Sequence, residues 1–176
     1  MKRTRARIRG MGFLIWHNRH SFYHILLGLI WAWILREYWN AFSPRYIWLA
    51  IFGSLLPDID HFIYFLTYGK TDWYTLQVKM FLKKHEWRNM VVFMEKGHKH
   101  NTKLISHNIY VMAILLGSSL LSFFYEWNTG VTLFGAMFIH YFFDIADDLI
   151  VLGSLNPNWK RWGRGLPKKD KRVSSI

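Results

Sequence analysis

The feature that most constrains the fold is the uneven placement of formal charges along the sequence. Residues 104–125 run for 22 positions without Asp, Glu, Lys or Arg, and residues 127–143 run for 17. Two shorter uncharged stretches, 21–35 and 46–57, contain 15 and 12 residues. A helix that crosses a bilayer needs about 20 mostly apolar residues, so the longest stretch qualifies by itself. We predict four membrane-spanning helices over residues 20–38, 46–66, 104–125 and 130–152.

The composition agrees with a membrane protein and excludes several other classes. Of the 176 residues, 52% are hydrophobic and 19% are aromatic, and such a chain cannot remain solvated as a disordered basic tail. The absence of Cys excludes a disulfide framework, a thiolate zinc site and a cysteine nucleophile. The length is that of one domain. We therefore expect an all-α integral membrane bundle.

The basic residues predict the orientation of this bundle. Of the 23 Lys and Arg residues, 21 fall in an N-terminal arm (1–19), a central connection (67–103) and a C-terminal tail (153–176). The positive-inside rule places these three regions on the cytoplasmic side of a multi-pass protein of the cell (inner) membrane. Apolar segments flanked by Lys and Arg in the connection predict amphipathic helices on an inner leaflet that contains anionic lipids.

Ionisable side chains inside the predicted spans are the main functional clue. A carboxylate at mid-membrane costs about 2.5–3.5 kcal/mol on insertion scales, so several carboxylates need compensation. The predicted topology brings such groups from all four spans to the cytoplasmic half of the bundle. They are His24, Asp58, Asp60, His61, His107, His140, Asp144, Asp147 and Asp148.

The chemistry and spacing of these groups indicate a metal site. His140 and Asp144 are four residues apart, so both project from one helical face. Pro57 favours a helix break just before the cluster in the second span. Imidazole and carboxylate ligands suit Zn, Mn or Fe. The candidate ligands outnumber the four that one tetrahedral zinc needs, which favours two ions bridged by a carboxylate. Asp147 and Asp148 are expected to orient His ligands.

Individual residues also have simpler explanations. A lone residue such as His24 is often a hydrogen-bonded part of the core. Asp58 and Asp60 can cap a helix after the proline, and Asp147 and Asp148 can face basic residues at the membrane interface. Buried His–Asp pairs relay protons in transporters. The remaining histidines lie in basic stretches and are expected to be solvated, namely His17, His20, His85 and His98.

The same residues resemble the motifs of a known family. Residues 53–61, Gly-Ser-Leu-Leu-Pro-Asp-Ile-Asp-His, resemble the signature of the YdjM-like family, which is classed as inner-membrane-associated metal-dependent hydrolases. His24 followed by Gly28 is similar to the first-helix His-x-x-x-Gly of that family. His140 followed by Asp144 is similar to its C-terminal His-x-x-x-Asp. The resemblance extends over about residues 20–150 and implies a metal site in an integral membrane protein.

The middle motif departs from the family pattern. His107 matches the second His of that motif, whereas position 102, where the family has its first His, is Thr. The nearest upstream histidine is His100, seven residues before His107, and we include it as a candidate ligand. The resemblance supplies no substrate.

Three functional hypotheses follow. The main one is a metal-dependent hydrolase that acts on a phosphoester or lipid-linked substrate at the cytoplasmic leaflet, with Zn (alternatively Mn or Fe) activating water and Asp148 as the candidate base. The first alternative is a small transporter or carrier of metal ions or protons, whose narrow pathway would favour an oligomer. The second is a scaffold that recruits nucleic acid or acidic proteins, although no specific nucleic-acid motif accompanies the basic regions.

Overall fold

The computed structural model describes residues 2–41, 43–98 and 104–160. Over these ranges the protein is all-α, which confirms the predicted class, and no strand is present. Single 3₁₀ turns occupy Leu56–Asp58 and Pro157–Lys160. The helices are α1 (Lys2–Trp39), α2 (Pro44–Leu55), α3 (Ile59–Leu66), α4 (Trp73–Lys83), α5 (Trp87–His98), α6 (Ile109–Phe124) and α7 (Asn128–Leu152).

Local sequence signals set several helix ends. Pro44 stands at the start of α2, where its missing N–H would have no helical partner in any case. Pro57 cannot donate to the helix, and the chain passes there from α2 through the 3₁₀ turn into α3, which confirms the predicted break. Asn108 caps α6, because its Oδ1 accepts from the backbone N–H groups of Tyr110 and Val111 at 3.0 Å each.

Helix α7 is the central element of the bundle. It packs against α6, α2 and α1, and α1 also packs against α2, while α4 and α5 pack on each other as a helical hairpin. The buried hydrophobic residues of the core between α1, α2 and α7 are small, namely Ala32, Ala50 and Ala136, and the partly buried Trp31 and Ile47 pack against them. A second buried cluster joins α6, α7 and the C-terminal 3₁₀ turn, and it consists of Leu115, Tyr141 and Trp159.

Two glycines allow the helices to approach closely. A Cβ atom at Gly28 would lie 2.8 Å from the carbonyl oxygen of Ala50, so α1 and α2 meet almost backbone to backbone. A Cβ atom at Gly53 would lie 3.0 Å from the carbonyl oxygen of Leu133 in α7. Small residues commonly permit such close contacts between membrane helices. Gly28 lies one helical turn after His24, so this crossing holds His24 against the other helices.

Two segments are long and apolar enough to cross a bilayer. Within the described ranges these are Pro44–Leu66 and Asn128–Ile150, each of 23 residues, and they correspond to the second and fourth predicted spans. Helix α6 is apolar but has 16 residues, which is about 24 Å against a hydrocarbon core of about 30 Å. The two remaining spans, and with them the four-span arrangement, stay a prediction.

The boundaries of the first and third predicted spans differ from the observed helices. Helix α1 starts at Lys2 and runs without a break through the predicted boundary between arm and span. Residues 104–108 are not helical, and α6 begins only at Ile109, because the Asn108 side chain satisfies the first backbone donors there. The predicted central connection contains α4 and α5, whose position on the inner leaflet stays a prediction.

Large apolar side chains cover the outside of the bundle. Trp48 and Phe62 are 70% and 69% exposed, and Ile114 and Phe142 are 60% and 59% exposed. They belong to α2, α3, α6 and α7, so the apolar surface surrounds the packed core. Exposed apolar area of this extent marks a surface that contacts lipid or another protein.

Gly28→Ala tests the close packing of α1 on α2. We expect a net loss of stability, because the new Cβ would press on backbone atoms, and overpacking of this kind costs about 1–3 kcal/mol. Thermal unfolding in detergent measures the effect. Gly117→Ala is the matched control, because its Cβ would enter open space and should only add helix propensity. Unchanged stability of Gly28→Ala would contradict the packing described.

Candidate metal centre

Six of the predicted metal ligands and one unpredicted histidine meet inside the bundle. Their ligand atoms form four overlapping groups of three, and the atoms of each group lie within 4.8 Å of one another. Helix α1 supplies His20 and His24, the first 3₁₀ turn and α3 supply Asp58 and His61, the segment before α6 supplies His107, and α7 supplies His140 and Asp144.

Asp144 lies at the centre of this cluster. Its Oδ1 is 3.2 Å from Nε2 of His20 and 3.5 Å from Nε2 of His24. Its Oδ2 is 3.2 Å from Nε2 of His140 and 3.7 Å from Nε2 of His107. Each oxygen of a single carboxylate therefore faces two imidazole rings. Asp144, His24, His107 and His140 are all buried.

The hydrogen bond of His140 fixes which ring nitrogen faces the cluster. Its Nδ1 lies 2.6 Å from the carbonyl oxygen of Ser54, which can only accept, so Nδ1 carries the proton and donates. In a neutral imidazole this leaves the Nε2 lone pair directed at the carboxylates of Asp144 and Asp58. A backbone carbonyl on the outer nitrogen is the usual way in which proteins orient a metal-ligating histidine.

Several buried polar atoms of the cluster lack a hydrogen-bond partner among the described residues. Both ring nitrogens of His24, Nε2 of His107 and of His140, and Oδ1 of Asp144 belong to this group. An unsatisfied buried donor or acceptor costs about 1–3 kcal/mol, so a set of them in one place calls for a common partner. Nitrogen and carboxylate oxygen donors at this spacing fit a divalent metal ion such as Zn, Mn or Fe.

Asp58 contributes to the cluster and does not cap a helix. It occupies the N-cap position of α3, but its side chain makes no capping hydrogen bond. Its Oδ1 is 3.8 Å from Nε2 of His140 and 3.9 Å from Nε2 of His61. Asp58 belongs to two of the groups of three, one with His24 and His140 and one with His61 and His107.

Asp60 lies beside the cluster, and no described group of three contains it. Its Oδ1 accepts from the Tyr68 hydroxyl at 2.6 Å, and its Oδ2 accepts from the backbone N–H and the hydroxyl of Ser106 at 2.8 and 2.9 Å. Burial and the bond to Asp60 raise the pKa of Tyr68, so this hydroxyl remains a donor. Asp60 therefore anchors the segment that carries His107, whose Nδ1 is 3.7 Å away.

The C-terminal 3₁₀ turn closes one side of the cluster. Nδ2 of Asn158 donates to the carbonyl oxygens of Leu104 and His107 at 3.0 and 2.7 Å. Nε1 of Trp159 donates to Oδ2 of Asp148 at 2.7 Å. All three of Asp148, Asn158 and Trp159 are buried. The turn thus positions both the His107 segment and the predicted catalytic carboxylate.

The role of this turn was not predicted from the sequence, where its residues were assigned to the basic C-terminal tail. The signal was present, because Asn156-Pro157-Asn158-Trp159 combines turn residues with an aromatic side chain ahead of the first basic residue of the tail. Residues 161–176 of the tail lie outside the described residues. The candidate ligand His100 also lies outside them.

The expectation that His20 is solvated is wrong. Its side chain is 35% exposed, and its Nε2 is a close neighbour of Asp144. The available signal was its spacing of four residues from His24, which places both on one face of α1. His85 is exposed, as expected. Asp147 is half-buried and belongs to none of the described groups of three.

A small cavity opens onto the cluster. Its volume is about 70 Å³, which is room for several water molecules. Water and a small polar group can therefore reach the ligand atoms. The polar residues that line it include His20, Asp58, His61, His107, Asp144 and Asp148.

The comparison with known families agrees with this arrangement. Residues 20–163 match the family described as YdjM inner membrane protein. The chain belongs to the YdjM family. The match covers every residue of the cluster and confirms the resemblance drawn from the sequence motifs, and an inner membrane family indicates a membrane location. Comparison with the curated proteins and with the solved structures found no match to this YdjM-family chain.

Asn158→Ala tests the contribution of the C-terminal turn. The carbonyl oxygens of Leu104 and His107 would lose a buried donor, so we expect the free energy of unfolding to fall by about 1–3 kcal/mol. Thermal unfolding in detergent measures the loss. Asn89→Ala removes an exposed side-chain bond to Glu86 and should change stability by less than about 0.5 kcal/mol. Equal effects of the two substitutions would show that the turn does not support the site.

Proposed function

We propose that this YdjM-family protein is a membrane-embedded, metal-dependent hydrolase that acts on a phosphoester or lipid-linked substrate at the cytoplasmic leaflet. The proposal rests mainly on the buried carboxylate of Asp144, which faces four imidazole rings. Buried ring nitrogens of three of these histidines, His24, His107 and His140, have no hydrogen-bond partner among the described residues. A site of this kind in a membrane helix is expensive, and such sites mark function. The cavity that reaches it supplies access for water.

The residues that would hold a divalent ion are those of the four groups of three. A bound ion of the Zn, Mn or Fe class would supply Lewis acidity and lower the pKa of water to near neutrality. The protein supplies the geometry, because α7 carries His140 and Asp144 one turn apart and the bond from His140 to Ser54 holds that ring in place. Burial of these ligands excludes bulk water, which strengthens every charge interaction in the site.

Asp148 is the proposed general base. It lines the same cavity as Asp144, and it lies one helical turn further along α7. Trp159 donates to Oδ2 of Asp148, and we assign the Asp148 carboxylate to take the proton from the attacking water. The Trp159 bond also keeps the carboxylate in one orientation.

The charge distribution supports a substrate at the cytoplasmic leaflet. The basic residues of the arm, the connection and the tail would attract anionic headgroups, each at about 1 kcal/mol when well placed. The same surface suits a phosphorylated substrate. In the proposed four-span arrangement both termini and the α4–α5 hairpin lie on this side of the membrane.

The double variant His140→Ala/Asp144→Ala tests the hydrolase proposal. We expect bound metal and the hydrolysis of phosphodiester and phospholipid substrates to fall to background, because both shared ligands on α7 are lost. Metal analysis and hydrolysis assays of protein in detergent, with and without chelator, measure this. The control His85→Ala alters an exposed histidine and should retain both the bound metal and the hydrolytic activity. Full activity of the double variant would refute the proposal.

Asp148→Asn separates base catalysis from metal binding. The substitution keeps the acceptor for Trp159 but cannot take a proton, so kcat should fall about 10²–10⁴-fold while bound metal is unchanged. Ion flux into proteoliposomes with no hydrolysis would instead favour the transporter hypothesis.

Single-cysteine labelling tests the four-span topology, because the chain contains no Cys of its own. A membrane-impermeant maleimide added to intact spheroplasts should label Ser43→Cys and Asn128→Cys, which lie in the turns predicted to face outward. Thr71→Cys, in the predicted cytoplasmic connection, should react only after the membrane is opened. Labelling of Thr71→Cys in intact spheroplasts would exclude the predicted orientation.

A further inference from the structure

We infer that Asp144 bridges two divalent cations, one held by His20 and His24 and the other by His107 and His140. The inference rests on the proposed function only in that the cluster binds metal. It assigns a separate ion to each oxygen of the Asp144 carboxylate, and it makes His20 a ligand.

The distances around Asp144 fit shared metal ions better than hydrogen bonds. Two ligands of one tetrahedral zinc, each bound at about 2.0–2.1 Å, lie about 3.3–3.4 Å apart. The four separations between Asp144 oxygens and imidazole Nε2 atoms run from 3.2 to 3.7 Å around that value. A charged hydrogen bond between nitrogen and oxygen would be about 2.7–2.9 Å long.

The two sets of ligands are separated by the carboxylate itself. His20 and His24 face Oδ1, whereas His107 and His140 face Oδ2, and the corresponding groups of three share only Asp144. Ions bound to the two oxygens of one carboxylate reach the separation of about 3.5–4 Å that is found in two-metal hydrolytic sites. The rings of His24 and His140, one from each set, are stacked with their centroids 3.8 Å apart.

The carboxylate of Asp58 stands between the two sets. It forms one group with His24 and His140, so it lies within reach of a ligand from each side. Asp144 and Asp58 would offset part of the positive charge of two divalent ions, and the nearby carboxylates of Asp60 and Asp148 would offset the rest.

His20 gives the first ion a partly open position. The ion would have three protein ligands, and the His20 side chain is partly exposed and lines the cavity. Catalytic metal sites typically keep one position for water or substrate. His107 and His140, which would hold the second ion, are both buried, so that position would be more enclosed.

Manganese loading tests the inference with readouts that do not depend on activity. Wild-type protein in detergent is loaded with Mn²⁺ and desalted, bound manganese is counted by mass spectrometry, and its electron paramagnetic resonance spectrum is recorded. We expect two ions per chain with an exchange-coupled spectrum. His20→Ala should bind one ion with an isolated six-line spectrum, whereas His20→Asp, which keeps a ligand, should retain two.

Further variants decide between the outcomes. His85→Ala, which changes an exposed histidine, should retain two ions, and His20→Gln provides a second ligand-free variant of similar size should His20→Ala fail to fold. One bound ion in the wild type, or two bound ions in His20→Ala or His20→Gln, would overturn the inference. The proposed function would still stand in that case if hydrolysis were sensitive to chelator. Two ions without hydrolysis would support the inference and refute the hydrolase. No bound manganese in the wild type would overturn both.

Discussion

The contact between the Asp144 carboxylate and four histidines is the interaction on which this structure depends. A buried charge in an apolar helix is tolerated only where its surroundings compensate it, and here α1, α7 and the segment before α6 all supply rings to it. Asp144 lies in α7, which packs against α1, α2 and α6. Close crossings at Gly28 and Gly53 bring the backbones near enough for short side chains to meet.

Irregular backbone completes the site. The 3₁₀ turn after α2 presents Asp58, and the non-helical segment before α6 presents His107. Buried non-helical backbone is stable only where its polar groups have hydrogen-bond partners. Asp60 accepts a hydrogen bond from the Ser106 N–H, and Asn158 donates hydrogen bonds to the carbonyl oxygens of Leu104 and His107 in the same segment. These residues have a structural role that makes the cluster possible.

Most residues of the cluster were predictable from the sequence, but the residues that support them were not. His24, Asp58, His61, His107, His140 and Asp144 were identifiable because an ionisable residue in an apolar stretch is conspicuous. His20 sits at the basic end of α1, where a solvated histidine is the ordinary expectation, so only its contact with Asp144 shows its position. Asp60 was equally conspicuous as a candidate ligand, but its carboxylate accepts hydrogen bonds from Tyr68 and Ser106. Such partners could not be predicted, because a contact of this kind produces no periodic pattern in the sequence.

Local sequence patterns were enough to predict the all-α class, the family, the break at Pro57 and six of the seven acids and histidines that meet, because charge segregation, proline geometry and motif spacing are local properties. Three features could be read only from the packed helices: which oxygen of Asp144 faces which rings, the anchoring of a loop by Asp60, and the closure of the site by the turn that carries Asn158 and Trp159. Those outcomes depend on helix crossings and hydrogen bonds between residues far apart in the chain, whose distances no linear pattern records.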